Sequence, residues 1–144
     1  MDHGISYEAI LVAFADDDSI SDNCDPENED KTPTGVAINV YNKLIDCQLV
    51  VDGVFKVIEN NGEAIGFVYY FDNILVSFGV NKKHRNKEVL TNLFESIKEW
   101  LGGDFITFMW KRNQRAINWF KKCGMVEGDV NTDSFVKLKY ESCH

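Results

Sequence analysis

The sequence of 144 residues lacks the features that mark several protein classes. It has two prolines and ten glycines, too few for a collagen-like or mucin-like chain. Its apolar runs are all shorter than the ~18 residues of a membrane-spanning helix. The first residues do not form the basic and then apolar pattern of a secretory signal peptide. We therefore expect a cytoplasmic protein with no membrane partner.

Cysteine and histidine are also scarce and scattered along the chain. The four cysteines form no C-x-x-C pair, and the three histidines lie near the two ends and in the middle. A structural zinc site needs a cluster of such ligands, and disulfide frameworks are typical of small exported domains. The sequence therefore predicts reduced thiols and no metal centre.

Acidic residues are in excess, and most of that excess lies in the N-terminal part. The formal net charge is −8. Residues 1–52 hold twelve acidic and two basic residues, whereas residues 53–144 hold eleven and thirteen. The overall negative charge argues against a general nucleic-acid-binding protein. The opposite charges of the two parts favour protein partners or self-assembly.

The segment 16–30 carries eight acidic residues and no basic one, so we interpret it as a solvated acidic loop. A calcium-binding loop is the alternative, because four of its acidic residues have EF-hand spacing. Ile20 at the fifth position and Ser21 in place of the turn glycine argue against calcium. The four residues at the first, third, seventh and twelfth positions are Asp16, Asp18, Asp22 and Glu27.

Hydrophobic periodicity predicts a single α/β (α+β) domain. The N-terminal segment 1–53 holds the acidic loop, a stretch 5–14 that is either helix or strand, and a helix from Thr34 to about Cys47. The remainder, 54–144, has the order β-β-β-α-β-α-β-β and predicts a mixed sheet with helices packed on it. The predicted strands are 54–58, 64–71, 74–80, 105–110, 125–127 and 135–140; the predicted helices are 90–101 and 114–123; and the predicted turns are 60–62 and 72–73.

Two segments resemble motifs of the GNAT acyl-CoA N-acyltransferases. Residues 77–90 combine a strand end, a basic turn and an amphipathic helix, like the acetyl-CoA segment of that family. Residues 113–125 match the second motif, N-x-x-A-x-x-x-Y-x-K-x-G-F. The resemblance covers about residues 54–140. It implies a GNAT fold, with helices packed on both faces of the mixed sheet. It also implies acetyl-CoA as cofactor, with its pyrophosphate at a helix N-terminus.

The resemblance also suggests which residues would hold the cofactor. Arg85 takes the first position of the R/Q-x-x-G-x-G/A turn, and Asn86 and Lys87 follow it. Val80 takes the strand end whose backbone would face the thioester. Asn113 takes the cap of the later helix, near the pantetheine arm. These five residues are the candidate cofactor-binding set.

Three residues depart from the family pattern. Glu88 and Leu90 stand at the two glycine positions, where a Cβ costs about 1 kcal/mol if φ is positive, and Glu88 adds a carboxylate near the phosphates. Phe120 stands where the family has the tyrosine that protonates the departing thiolate, and a phenyl ring has no proton to give. Tyr69 and Tyr70, on opposite faces of one strand, are the candidate substitute acids.

The residues leave two classes of function open. The three departures favour a non-catalytic structural or assembly protein. Small GNAT-like proteins of bacteriophages show a similar pattern, so a place in a virion follows from this resemblance. The alternative is an active, acetyl-CoA-dependent N-acyltransferase that acts on a small amine or a protein amine.

Overall fold

A computed structural model describes residues 4–17, 29–128 and 132–141 of the chain. Most of the acidic segment 16–30, including three of its four EF-hand positions, lies outside these ranges. Within them, no cluster of three or more His, Cys, Asp or Glu side chains could hold a metal. No helix in the same ranges has the length and apolar content needed to cross a membrane.

Two capped helices form the described part of the N-terminal segment. Helix α1 (Tyr7–Phe14) begins after Ser6, whose hydroxyl accepts a hydrogen bond from the Ala9 N–H at 3.1 Å. Helix α2 (Pro33–Gln48) begins after Thr32, with proline at its first position. The stretch that the sequence left open between helix and strand is therefore helical. The helix predicted to end near Cys47 is confirmed.

The remaining elements form one sheet with two further helices. The chain order predicted from residue 54 onward is confirmed. In space the strands lie in the order β1-β2-β3-β4-β6-β5. Neighbouring strands are antiparallel except for the parallel pair β3 and β4. The elements are β1 (Val54–Asn60), β2 (Glu63–Phe71), β3 (Ile74–Val80), α3 (Lys87–Trp100), β4 (Phe105–Trp110), α4 (Gln114–Lys122), β5 (Val126–Glu127) and β6 (Phe135–Tyr140), with a 3₁₀ turn at Lys82–His84.

Residues at positive φ form the tight turns. Asn61 and Gly62, at φ 54° and 81°, join β1 to β2, and two such central residues match the right-handed twist of a hairpin. Asp72, at φ 52°, joins β2 to β3. Both turns predicted from the sequence are confirmed.

Helices cover both faces of the sheet, as predicted. On one face, α1 and α2 bury Phe67 and Tyr69 of β2. On the other face, α3 and α4 pack over a larger apolar cluster that includes Val68 and Leu75. Because the two N-terminal helices complete the first of these cores, residues before position 54 share a core with the sheet.

The parallel strands β3 and β4 separate soon after they begin. They pair at only two positions, Ile74 with Ile106 and Leu75 with Thr107. Val76, the next residue of β3, is 39% exposed. An almost wholly apolar strand would be expected to be buried on both faces, but Val76 is exposed where the neighbouring strand has moved away. The separation opens a cleft in the middle of the sheet.

Candidate functional site

A cavity of about 490 Å³ fills the gap between β3 and β4. Its walls are mainly apolar, and they come from both helical layers as well as from the two strands. A cavity of this size lies within the range of small-molecule sites. The lining includes Val36, Val40 and Leu44 of α2, residues 76–80 of β3, Arg85, Leu90, residues 107–110 of β4, Asn113, Arg115, Ala116, Trp119 and Phe135.

The backbone of Val80 faces this cleft. The next residue, Asn81, donates its N–H to the Ile65 carbonyl at 2.7 Å. Successive residues of an antiparallel strand point their N–H and C=O groups to alternate sides. The N–H and C=O of Val80 therefore point away from β2, toward the side where β4 has separated. Consistent with this direction, the Val80 carbonyl accepts a hydrogen bond from Arg85 Nε at 2.9 Å.

The turn between β3 and α3 leads into a well-capped helix. Asn86 is the N-cap, and its Oδ1 accepts from the Val89 N–H at 2.9 Å. Glu88 and Leu90 lie in the first turns of the helix, and neither is among the described residues with positive φ. The backbone strain expected from replacing two glycines is therefore absent. Lys87, the first helical residue, is exposed.

Two arginines of the cleft wall converge on one buried carboxylate. Asp17 is 2% exposed, and its Oδ2 lies 2.6 Å from Arg85 Nη2 and 3.5 Å from Arg115 Nη2. Burial and the nearby Arg85 charge lower the pKa of Arg115, while Asp17 opposes that shift. The interpretation of 16–30 as a solvated loop is wrong for Asp17. An acidic run contains no sequence signal that would separate one buried carboxylate from its solvated neighbours.

Asn113 has the capping role that the motif suggested. Its Oδ1 accepts from the Ala116 N–H at 3.4 Å at the start of α4. Asn113, Ala116 and Trp119 all line the cleft. The second motif therefore contributes part of the cavity wall.

The model of the Acetyltransferase (GNAT) family matches residues 19–125. The chain belongs to this family. The resemblance seen in the two sequence motifs is thereby confirmed, together with the predicted mixed sheet. A search of curated protein sequences found no significant match.

Solved structures of low sequence identity share the fold. A Pyrococcus horikoshii OT3 protein has 14% identity and a TM-score of 0.68, with 100% of this chain and 94% of that chain covered. The PaiA N-acetyltransferase of Thermoplasma acidophilum, in complex with coenzyme A, has 14% identity, a TM-score of 0.60 and 96% of both chains covered. Campylobacter jejuni N-acetyltransferase PseH, in complex with acetyl coenzyme A, has 10% identity, a TM-score of 0.54, and 74% and 78% coverage. At these identities the likeness concerns the fold.

The two candidate acids of this GNAT protein lie outside the cleft lining. The Tyr69 hydroxyl donates to Gln48 Oε1 within the α1 and α2 core. Burial, followed by the neighbouring Cys47, raises the pKa of Tyr69 to about 12. Tyr70 stacks on Trp100 on the opposite face, with ring centroids 6.4 Å apart, and burial raises its pKa as well. Neither tyrosine is among the described residues that line the cavity, so this geometry does not favour either as the acid.

Phe120, at the tyrosine position of the GNAT motif, is fully buried. Its ring centroid lies 5.2 Å from Phe78, 6.4 Å from Phe94 and 4.6 Å from Trp119. In this chain the position therefore contributes aromatic packing to the core under α3 and α4. It supplies no hydroxyl to the cleft.

Proposed function

We propose that this GNAT protein binds acetyl-CoA in the cleft between β3 and β4 and transfers the acetyl group to an amine. The separation of the two strands carries this proposal. It leaves an open, apolar channel beside β3, which pairs with β2 on its other side but, beyond Leu75, pairs with no described strand on the channel side. Membership of the acetyltransferase family and the coenzyme A complexes of similar folds support it.

The residues present fit this cofactor. A pantetheine arm has apolar methylenes between amide groups, and the cleft offers apolar walls together with the Val80 backbone. The N-terminus of α3, which follows Asn86, has the dipole direction that favours a pyrophosphate. Three exposed lysines of the same region, Lys82, Lys83 and Lys87, add positive charge. We therefore retain Val80, Arg85, Asn86, Lys87 and Asn113 as the proposed cofactor-binding set.

Acetyl-CoA supplies the acetyl group as an activated thioester. The contribution of the chain is to hold that group and an amine in one orientation, which accounts for much of the acceleration in a two-substrate transfer. The Val80 N–H points into the cleft as a hydrogen-bond donor. The Thr107 hydroxyl is already engaged, because it donates to the Leu75 carbonyl at 2.8 Å. Ser77 is a further lining residue, and its hydroxyl can donate or accept a hydrogen bond.

A non-catalytic assembly role is the second candidate function. It is favoured by Phe120, whose ring replaces the expected proton donor and is enclosed in the core. The partner would then be a protein or further copies of the chain, held through the opposite charges of its two parts. A place in a bacteriophage virion depends on the sequence resemblance alone. This candidate predicts association that weakens as salt is raised.

Calorimetric titration with acetyl-CoA and with CoA tests the two functions. We expect one ligand per chain, and about tenfold weaker binding in Arg85→Ala, the change that follows from losing a hydrogen bond to a charged group. Arg112→Ala is the matched control, because Arg112 is exposed and lies outside the cleft lining. Release of free CoA thiol in the presence of an amine panel then measures transfer.

The outcomes separate the candidates. Binding together with thiol release supports the transferase. Binding without release for any amine, combined with salt-sensitive association in sedimentation, supports the assembly role. Absence of both heat and thermal shift at millimolar ligand contradicts acetyl-CoA binding altogether.

A further inference from the structure

We propose that Asp17 is a positioning residue for the acetyl-CoA site, holding Arg85 so that the turn from β3 to α3 keeps one conformation. This inference rests on the proposed function. It assigns a role in cofactor binding to a residue just after the N-terminal helix, outside both sequence motifs.

Arg85, the last residue of the turn, makes two hydrogen bonds through its guanidinium group. Arg85 Nε donates to the Val80 carbonyl at 2.9 Å, and Arg85 Nη2 donates to Asp17 Oδ2 at 2.6 Å. The guanidinium therefore spans from the end of β3 to Asp17, which lies three residues after the end of α1. Because a charge-assisted hydrogen bond is directional, Asp17 determines which way Arg85 points.

The first residue of the turn is tied to the same helix. Asn81 Nδ2 donates to the Val12 carbonyl of α1 at 2.8 Å, and Asn81 Oδ1 accepts from the Lys83 N–H at 3.0 Å. The turn 81–85 is thus held at its first residue by Val12 and at its last by Asp17. The last turn of α1 and the residues just after it therefore hold both ends of the turn.

Such bracketing matters because the proposed pyrophosphate contacts come from the backbone of this turn and of the α3 N-terminus. A turn that is ordered before the ligand arrives does not lose conformational entropy on binding. Burial of Asp17 strengthens this ordering of the turn. A carboxylate withdrawn from water attracts its cationic partners more strongly than an exposed one.

Asp17 also offsets the charge repulsion between the two arginines of the cleft. Arg85 and Arg115 both line the cavity, and Arg115 Nη2 lies 3.5 Å from Asp17 Oδ2. Two guanidinium groups in one wall repel each other, and a carboxylate between them offsets that repulsion. One residue in the segment after α1 therefore contacts both the β3–α3 turn and the first turn of α4.

The test compares Asp17→Asn with Asp16→Asn. Asp16 is the matched control, because it is adjacent and exposed, and its only described ion pair is a 3.9 Å contact with Lys83. We expect acetyl-CoA to bind about tenfold more weakly to Asp17→Asn, and within twofold of wild type to Asp16→Asn. Hydrogen exchange of the ligand-free protein should show faster exchange in 82–88 in Asp17→Asn, with α4 and β6 unchanged.

A double-mutant cycle with Arg85→Ala separates positioning from general stability. If Asp17 acts through Arg85, Asp17→Asn in the Arg85→Ala background should cause little further loss of affinity. Additive losses, unchanged affinity or tighter binding in Asp17→Asn would each overturn the inference. If Asp17→Asn does not fold, Asn81→Ala removes the tie at the other end of the turn and should also weaken binding, and normal affinity there overturns the inference too.

The proposed function and this inference fail in different ways. Wild-type protein that does not bind acetyl-CoA contradicts the function, and the role of Asp17 with it. Wild-type protein that binds, with Asp17→Asn binding equally well, contradicts only the role of Asp17.

Discussion

At the scale of single residues, Phe120 shows how a motif position can change its use. The family motif places a tyrosine there, but in this chain the ring is fully buried among three aromatic side chains. The residue type could be read from the sequence. Whether its ring faced the cleft or the core depended on packing against α3, β3 and its own helix.

We predict that Phe120→Tyr destabilises the ligand-free protein by about 1 to 3 kcal/mol, because the added hydroxyl would be buried among aromatic rings without a hydrogen-bond partner. Urea unfolding measures the change. Phe108→Tyr is the control. Because Phe108 is 45% exposed, the hydroxyl added by this substitution would reach water. Equal stability of Phe120→Tyr and wild type would show that the ring edge is accessible to the cleft.

Tyr69 predicts a pH dependence. Burial raises its pKa to about 12 from an ordinary value of 10.0, so the folded protein keeps a proton that the unfolded chain loses. This contribution to stability is complete below pH 10 and is lost as pH rises through about 12. We expect the loss of unfolding free energy between pH 9.5 and 11.5 to be smaller in Tyr69→Phe, by on the order of 1 to 3 kcal/mol.

The control for this prediction is Tyr41→Phe, which changes a half-buried tyrosine of α2. If both variants lose stability in parallel with wild type, Tyr69 does not carry the dependence. The raised pKa also makes Tyr69 a poorer proton donor than an ordinary tyrosine.

At the scale of elements, capping side chains and turn residues determine most of the helix and strand boundaries. Helix α4 follows its Asn113 cap, and the hairpin forms where Asn61 and Gly62 accept positive φ. Strand β3 was predicted with the correct ends, yet Val76 is exposed. Its burial depended on β4, a strand about thirty positions further along, and no local pattern records that the two strands separate.

At the N-terminus of α3, replacing Glu88 should have opposite effects on protein stability and on acetyl-CoA binding. Glu88 is the second residue of the helix. Its negative charge interacts favourably with the positive end of the helix dipole but repels a phosphate bound there. We expect Glu88→Gln to lower stability by about 0.3 to 1 kcal/mol and to bind acetyl-CoA several-fold more tightly. The gain in affinity should shrink as salt rises.

Glu99→Gln is the control, because Glu99 is exposed near the other end of the same helix. It should leave the affinity unchanged. Unchanged or weaker binding in Glu88→Gln would place the phosphates away from this helix end.

At the scale of the whole molecule, the cleft divides the sheet into two parts that share few backbone contacts. β3 and β4 pair at two positions only, so the halves depend on the helical layers for their connection. A ligand in the cleft would contact both halves. It should therefore stabilise the domain as one unit.

We predict that acetyl-CoA at 100 times its dissociation constant raises the unfolding free energy by about 2.7 kcal/mol, which corresponds to roughly 10 °C in Tm for a domain of this size. Calorimetry should show one transition, shifted as a whole. Two transitions, of which only one shifts, would contradict cooperative unfolding. Adenosine alone is the control, because it lacks the pantetheine arm.

The sequence by itself determined the order of elements, their caps and turns, and the two motifs that identify the family, since these depend on neighbours within a few positions. It also suggested Val80, Arg85 and Asn113, which all line the cleft. Only the tertiary structure decided that β3 and β4 separate and that Phe120 turns into the core. It alone decided that Asp17 meets Arg85 across 68 positions of chain. Such contacts depend on how whole layers pack, and one buried carboxylate in an acidic run looks like the others until that packing is known.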